Sequence, residues 1–306
     1  MPLKIVFMGT SEFSVPALQA LIKNRSDILC VYTQPPTKSN RGQKINASPI
    51  EEFSKKNKIN FKNPINLNND EELKIFKELS PDIVVVVAYG QIIPNFFLNI
   101  AKFGFINIHP SLLPKWRGAA PIQRAIMNGD KKIGVSIMKI EEKLDSGPVL
   151  ASKEMELDQT ATHGEIEKKL SIMGANLLVE NLNELETGNL KFIAQVNSEA
   201  TYANKINKDE TKINWSLEAT KALAHIHGLS PNPGAWFEYE NERFKVLSAK
   251  KTTASGKPGT HLDENLTIAC KSDSIQILEI QRQGKNKQTT KDFLLGRKIS
   301  KGAILT

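Results

Sequence analysis

Two cysteines in 306 residues are too few for a disulfide framework. Cys30 and Cys270 lie far apart, each in an apolar, strand-like run. They read as buried free thiols of a reducing cytoplasm. Long apolar runs are missing too: none approaches the roughly 20 residues that a membrane span needs. The opening MPLKIVFMGT runs straight from one lysine into a strand-like segment without a small-residue cleavage site, so no signal peptide is expected. GTSEFS (9–14) lacks the G-x-G-x-x-G of a dinucleotide site. His109, His163, His225, His227 and His261 show no ligand spacing with cysteines or acids, which predicts no metal centre. No repeat or low-complexity tract is visible.

What remains is an ordinary globular composition, 40% hydrophobic and 24% charged, in a chain longer than one average domain. The first part alternates strand-like and helix-like segments. KIVFMGT (4–10) precedes the helical SVPALQALIKN (14–24), and ILCVYTQPP (28–36) follows. SPIEEFSKKN (48–57) carries a helix start, with Ser48 as N-cap, Pro49 in the first turn and Glu51 at the capping-box position. After the helical EELKIFKELS (71–80), PDIVVVVAYG (81–90) is an unbroken β-branched run, as in a parallel strand buried on both faces. GFINIHP (104–110), APIQRAIMNG (120–129), two further strands and a long helix (163–188) complete the pattern. This rhythm predicts an α/β, Rossmann-like domain with a parallel sheet over 1–189. Residues 190–207 read as a linker. Residues 208–306, with strand pairs and polar turns, predict a small OB-like β-barrel.

The net charge of +8 is uneven. Residues 1–189 carry 23 Lys and Arg against 21 Asp and Glu, whereas residues 190–306 carry 18 against 12. A basic module following a near-neutral one fits a polyanionic partner, nucleic acid first among them. The tail 281–302 concentrates this charge, with seven basic residues against one Asp.

Asn107 and His109 end the strand FINIH, two residues apart and therefore on one face. In α/β sheets ligands bind at such strand ends. Asp145, in the tight LDSGP turn, is a carboxylate that could hydrogen-bond His109 and fix its tautomer. An amide donor, an imidazole and a carboxylate suit transfer of an acyl group to an amine. The amide donates to the oxyanion and the imidazole takes the amine's proton. No Ser or Cys nucleophile is needed when the amine attacks directly.

NIHPSLLPKWRGAAPIQRAI (107–126), LDSGPVL (144–150), KIVFMGTSEFSVPAL (4–18) and PNPGAWFEY (231–239) resemble the methionyl-tRNA formyltransferase family, over nearly the whole chain. The resemblance implies Asn107, His109 and Asp145 as catalytic residues, and Ser111, Leu112, Leu113 and Pro114 as a folate-binding stretch. It implies 10-formyltetrahydrofolate as donor and initiator methionyl-tRNA as acceptor. It also implies a tRNA-contacting loop, matched here by Lys38, Arg41 and Lys44 in QPPTKSNRGQKINAS (34–48). Asn214 and Asn232 depart from the family's usual Asp and aromatic, which touches contacts in the second domain and not the chemistry. A soluble, cytoplasmic monomer is expected. Two other readings share the catalytic set or the charge. One is a folate-dependent formyltransferase acting on a small amine such as a sugar nucleotide; the other is a non-catalytic nucleic-acid-binding protein.

Overall fold

The computed structural model describes residues 2–39, 44–187 and 191–306. Packing divides the chain into two units. One comprises Met1–Arg117, Gly134–Glu154 and Glu167–Tyr202; the other comprises Gly118–Ile133, Met155–Ile166 and Ala203–Thr306. Composition alone places the breaks at 189 and 208; packing also groups two short N-terminal segments with the C-terminal residues.

The first unit is built on a sheet of seven strands. These are β1 (Lys4–Gly9), β2 (Asp27–Tyr32), β3 (Phe61–Lys62), β4 (Ile83–Val87), β5 (Phe105–His109), β6 (Lys132–Lys139) and β7 (Val149–Glu156), in the order β7-β6-β5-β4-β1-β2-β3. β1 pairs parallel with β2 and β4, β2 with β3, and β4 with β5. β6 runs antiparallel to β5. β6 is buried along most of its length like its parallel neighbours, so its residue pattern did not show this reversal. All of β4 is buried, as its uniform β-branched run predicts. On one side of the sheet Phe76 meets Phe97 edge-on at 5.0 Å and stacks on Phe105 at 5.9 Å. Such pairs contribute about 0.5–1.5 kcal/mol each beyond their area.

The helices begin and end where local chemistry directs. Ser48 accepts the Glu51 N–H at 3.0 Å and caps helix Pro49–Lys56, a contact worth about 1 kcal/mol. Its hydroxyl also lies 2.6 Å from the Thr33 hydroxyl, tying the helix start to the end of β2. Helix His163–Thr187 passes β5 at Gly174. A Cβ there would lie 2.6 Å from Cγ2 of Ile108, so the missing side chain lets helix and strand approach.

In the second unit, β8 (Ala235–Tyr239), β9 (Glu242–Thr252), β10 (Thr267–Ala269), β11 (Ser274–Arg282) and β12 (Gln288–Thr289) form a five-stranded antiparallel sheet. Its order is β8-β9-β11-β10, with β12 added beside β11. This is the small β domain expected of the C-terminal residues. Phe237 and Phe244 stack at 5.4 Å in its core, and helix Ala219–Leu229 buries Ala219, Ala222, Ile226 and Leu229 in the same cluster. Arg124 of helix Pro121–Asn128 grips both carboxylate oxygens of Glu210 at 2.8 and 2.9 Å. The same guanidinium donates to the carbonyls of Asn204 and Lys205 at 3.0 and 3.4 Å, which holds the end of the expected linker in a defined path. Among the described residues, no helix is long and apolar enough to cross a membrane.

Candidate active site

His109 is the last residue of β5, and Asn107 lies two residues before it. Ile108 between them and Ile106 before them are buried in the core. His109 is itself buried, and its two ring nitrogens meet different partners. Nε2 lies 3.0 Å from the carbonyl oxygen of Trp116. Nδ1 lies 3.7 Å from Oδ2 of Asp145. A carbonyl can only accept, so Nε2 donates to it, and Nδ1 is the ring nitrogen that faces the carboxylate. At 3.7 Å this is ion-pair spacing and not a hydrogen bond. The Trp116 carbonyl thus engages one ring nitrogen of His109, and the Asp145 carboxylate faces the other. Both carbonyl and carboxylate are carried by residues in the left-handed region, Trp116 with φ of 61° and Asp145 with φ of 48°.

Residues 111–114 leave His109 in a compact turn. Ser111 N–H donates to the His109 carbonyl at 2.9 Å, and the Ser111 hydroxyl donates to the Lys115 carbonyl at 2.6 Å. Ser111 is buried, whereas Leu112, Leu113 and Pro114 are half-buried. Ser136, opposite His109 across the β5–β6 ladder, holds this turn from behind. Its hydroxyl donates to the Ser111 carbonyl at 2.8 Å and accepts the Leu113 N–H at 3.1 Å. It also lies 2.8 Å from the Ser152 hydroxyl of β7. Sequence reading missed Ser136; the only signal was one hydroxyl in the otherwise apolar run VSIM.

Lys38 and Lys44, two of the basic positions expected to meet tRNA, fall on a pair of short strands. Thr37–Ser39 pairs antiparallel with Lys44–Asn46. Arg41 lies outside the described residues, as do the side chains of Lys38 and Lys44. In the C-terminal tail several charges are already matched. Arg282 reaches Glu242 at 2.7 Å, Lys287 lies 3.3 Å from Glu279, and Arg297 bonds Glu240. The count of basic residues therefore overstates the charge the tail offers. Among the described residues, no three His, Cys, Asp or Glu side chains gather as a metal ion would require.

Known proteins resemble this chain over nearly its whole length. The Formyl transferase family matches residues 3–182, and the Formyl transferase, C-terminal domain family matches residues 205–298. A methionyl-tRNA formyltransferase of Pelagibacter ubique is 48% identical over 99% of this chain and 98% of its own length. Another, of Sinorhizobium fredii, is 43% identical over 99% of both chains. Among solved structures, an N-formyltransferase of Helicobacter canadensis, crystallised with folinic acid and dTDP-3-aminofucose, superposes with a TM-score of 0.69 at 17% identity. It covers 92% of this chain and all of its own. A methionyl-tRNA formyltransferase of Clostridium thermocellum gives 0.57 at 19% identity, covering 81% of this chain and 93% of its own. At such identities these structures speak for the fold alone.

Proposed function

Since the chain belongs to the methionyl-tRNA formyltransferase family, we propose that it transfers the formyl group of 10-formyltetrahydrofolate to the free amino group of methionine esterified to initiator tRNA. The observation that carries the mechanism is the placement of His109 between the Trp116 carbonyl and the Asp145 carboxylate. With Nε2–H engaged, Nδ1 is the base. The methionyl amine attacks the formyl carbon directly, and negative charge gathers on the formyl oxygen. The Asn107 amide, at the same strand end, donates to that oxygen. Nδ1 takes the amine's proton, and the resulting imidazolium is stabilised by Asp145. Collapse of the tetrahedral adduct breaks the bond to N10 of the folate, which leaves with a proton.

In this reading residues 1–189 are the catalytic domain, and Ser111, Leu112, Leu113 and Pro114 form a wall of the folate pocket. Residues 190–207 link it to a tRNA-binding domain, 208–306. Lys38, Arg41 and Lys44 contact the tRNA backbone. The enzyme works in the cytoplasm as a monomer. The deciding experiment measures transfer of labelled formyl from 10-formyltetrahydrofolate to charged initiator tRNA, beside a sugar-nucleotide amine and glycinamide ribonucleotide. Efficient transfer to methionyl-tRNA is expected. A preference for either small amine would overturn the acceptor assignment.

A further inference from the structure

We propose that Gln195 is a positioning residue for the proton transfer. It clamps together the two turns that engage His109 and so sets the separation of imidazole and carboxylate. This rests on the roles given above to His109 and Asp145. The Gln195 amide uses both of its ends. Oε1 accepts from Nε and Nη2 of the buried Arg117 at 3.0 and 2.8 Å. Nε2 donates to the carbonyls of Asp145 and Gly147 at 2.9 and 2.7 Å. A guanidinium only donates and a carbonyl only accepts, so the amide fits in one orientation.

Each end reaches a side of the catalytic histidine. Arg117 directly follows Trp116, whose carbonyl holds Nε2 of His109. Asn197 adds a second acceptor for Arg117 at 2.9 Å. Arg117 N–H donates to the Thr201 carbonyl at 2.9 Å, so the same backbone segment supports this turn twice. On the other side, Gln195 holds the carbonyl of Asp145 itself, a residue whose left-handed φ of 48° gives its side chain its aim. Hydrogen bonds from 195 to carbonyls 145 and 147, and to the guanidinium at 117, join the two turns.

The chemistry of one substitution separates the two functions of the amide. Gln195→Glu keeps an acceptor for Arg117 but turns two N–H donors into carboxylate oxygen facing two carbonyls. The Asp145 turn is then released while Arg117 stays paired. Gln195→Ala releases both. Measured on the full chain, each variant is expected to lose roughly 10- to 100-fold in kcat, with KM for methionyl-tRNA within about twofold of the parent. Thermal melting checks the fold, and should Gln195→Ala not fold, Gln195→Glu decides. A parental kcat in the variants, or a KM for methionyl-tRNA that rises in step with the loss of rate, overturns the proposal. His109→Ala and Asp145→Asn are run alongside. Full turnover in those two shows instead that the site assignment has failed, and the clamp falls with it.

Discussion

His109 has one nitrogen spent on a backbone carbonyl and one left facing a carboxylate, which makes the consequences of single substitutions directional. His109→Ala removes the proposed base and is expected to lower kcat roughly 10²- to 10⁴-fold while tRNA affinity is retained. Asp145→Asn keeps the shape of the turn but removes the charge that favours the imidazolium. It should lose most of the rate. Single-turnover rates across pH, with tRNA binding measured in parallel, check both. The strand period alone placed Asn107 and His109 on one face. Asp145 needed more, because nothing in its spacing from His109 predicts that the LDSGP turn folds back. Trp116 was invisible in this role, since its contribution is a main-chain carbonyl that any residue possesses.

At the scale of elements, the turn carrying residues 111–114 depends on one buried hydroxyl in the neighbouring strand. Ser136→Ala removes the acceptor for Leu113 N–H and the donor for the Ser111 carbonyl. Leaving such buried groups unsatisfied costs about 1–3 kcal/mol. A lower melting temperature is expected, with KM for the folate donor raised more than kcat is lowered. Gly147 is a stricter case: a Cβ there would lie 1.9 Å from the Lys139 carbonyl oxygen, and backbone cannot step aside as a side chain can. Helix starts and stops were legible because they are local, as with the Ser48 cap and the stop at Gly129, where φ is 74°. Helix Thr290–Gly296 was not. Its seven residues are too short for a period to stand out of a charged tail. The stretch containing Gln195 read as linker for a similar reason: its order comes from distant partners and not from its own pattern.

For the whole molecule, charge and protonation set the conditions of work and survival. Neutralising Lys38, Arg41 and Lys44 together is expected to weaken tRNA binding and flatten its salt dependence. The slope should fall by about one for each phosphate that the variant no longer neutralises. Binding titrations over a salt series test this, and an unchanged slope would return these positions to the solvated surface. Acid acts through buried histidines. Burial lowers His163 from 6.5 to about 4, and it also lowers His225 and His227. Between those values the unfolded chain binds a proton at residue 163 that the folded chain refuses. Stability is therefore complete above about 6.5 and erodes as pH falls towards 4, by roughly 3 kcal/mol from this group alone. Denaturant titrations at pH 7 and pH 4.5 should show that loss, and His163→Gln should reduce it. Composition located the basic half, but the pairing of Arg282 and Arg297 with glutamates depends on strands meeting in space.

The two thiols have a practical consequence. Cys30 and Cys270 are buried, and burial pushes both up to about 11, so neither offers thiolate to an alkylating reagent at neutral pH. Maleimide labelling of the native chain is expected to be slow at both thiols. A single cysteine introduced on an exposed face would accept a fluorophore there first, without deletion of either natural residue.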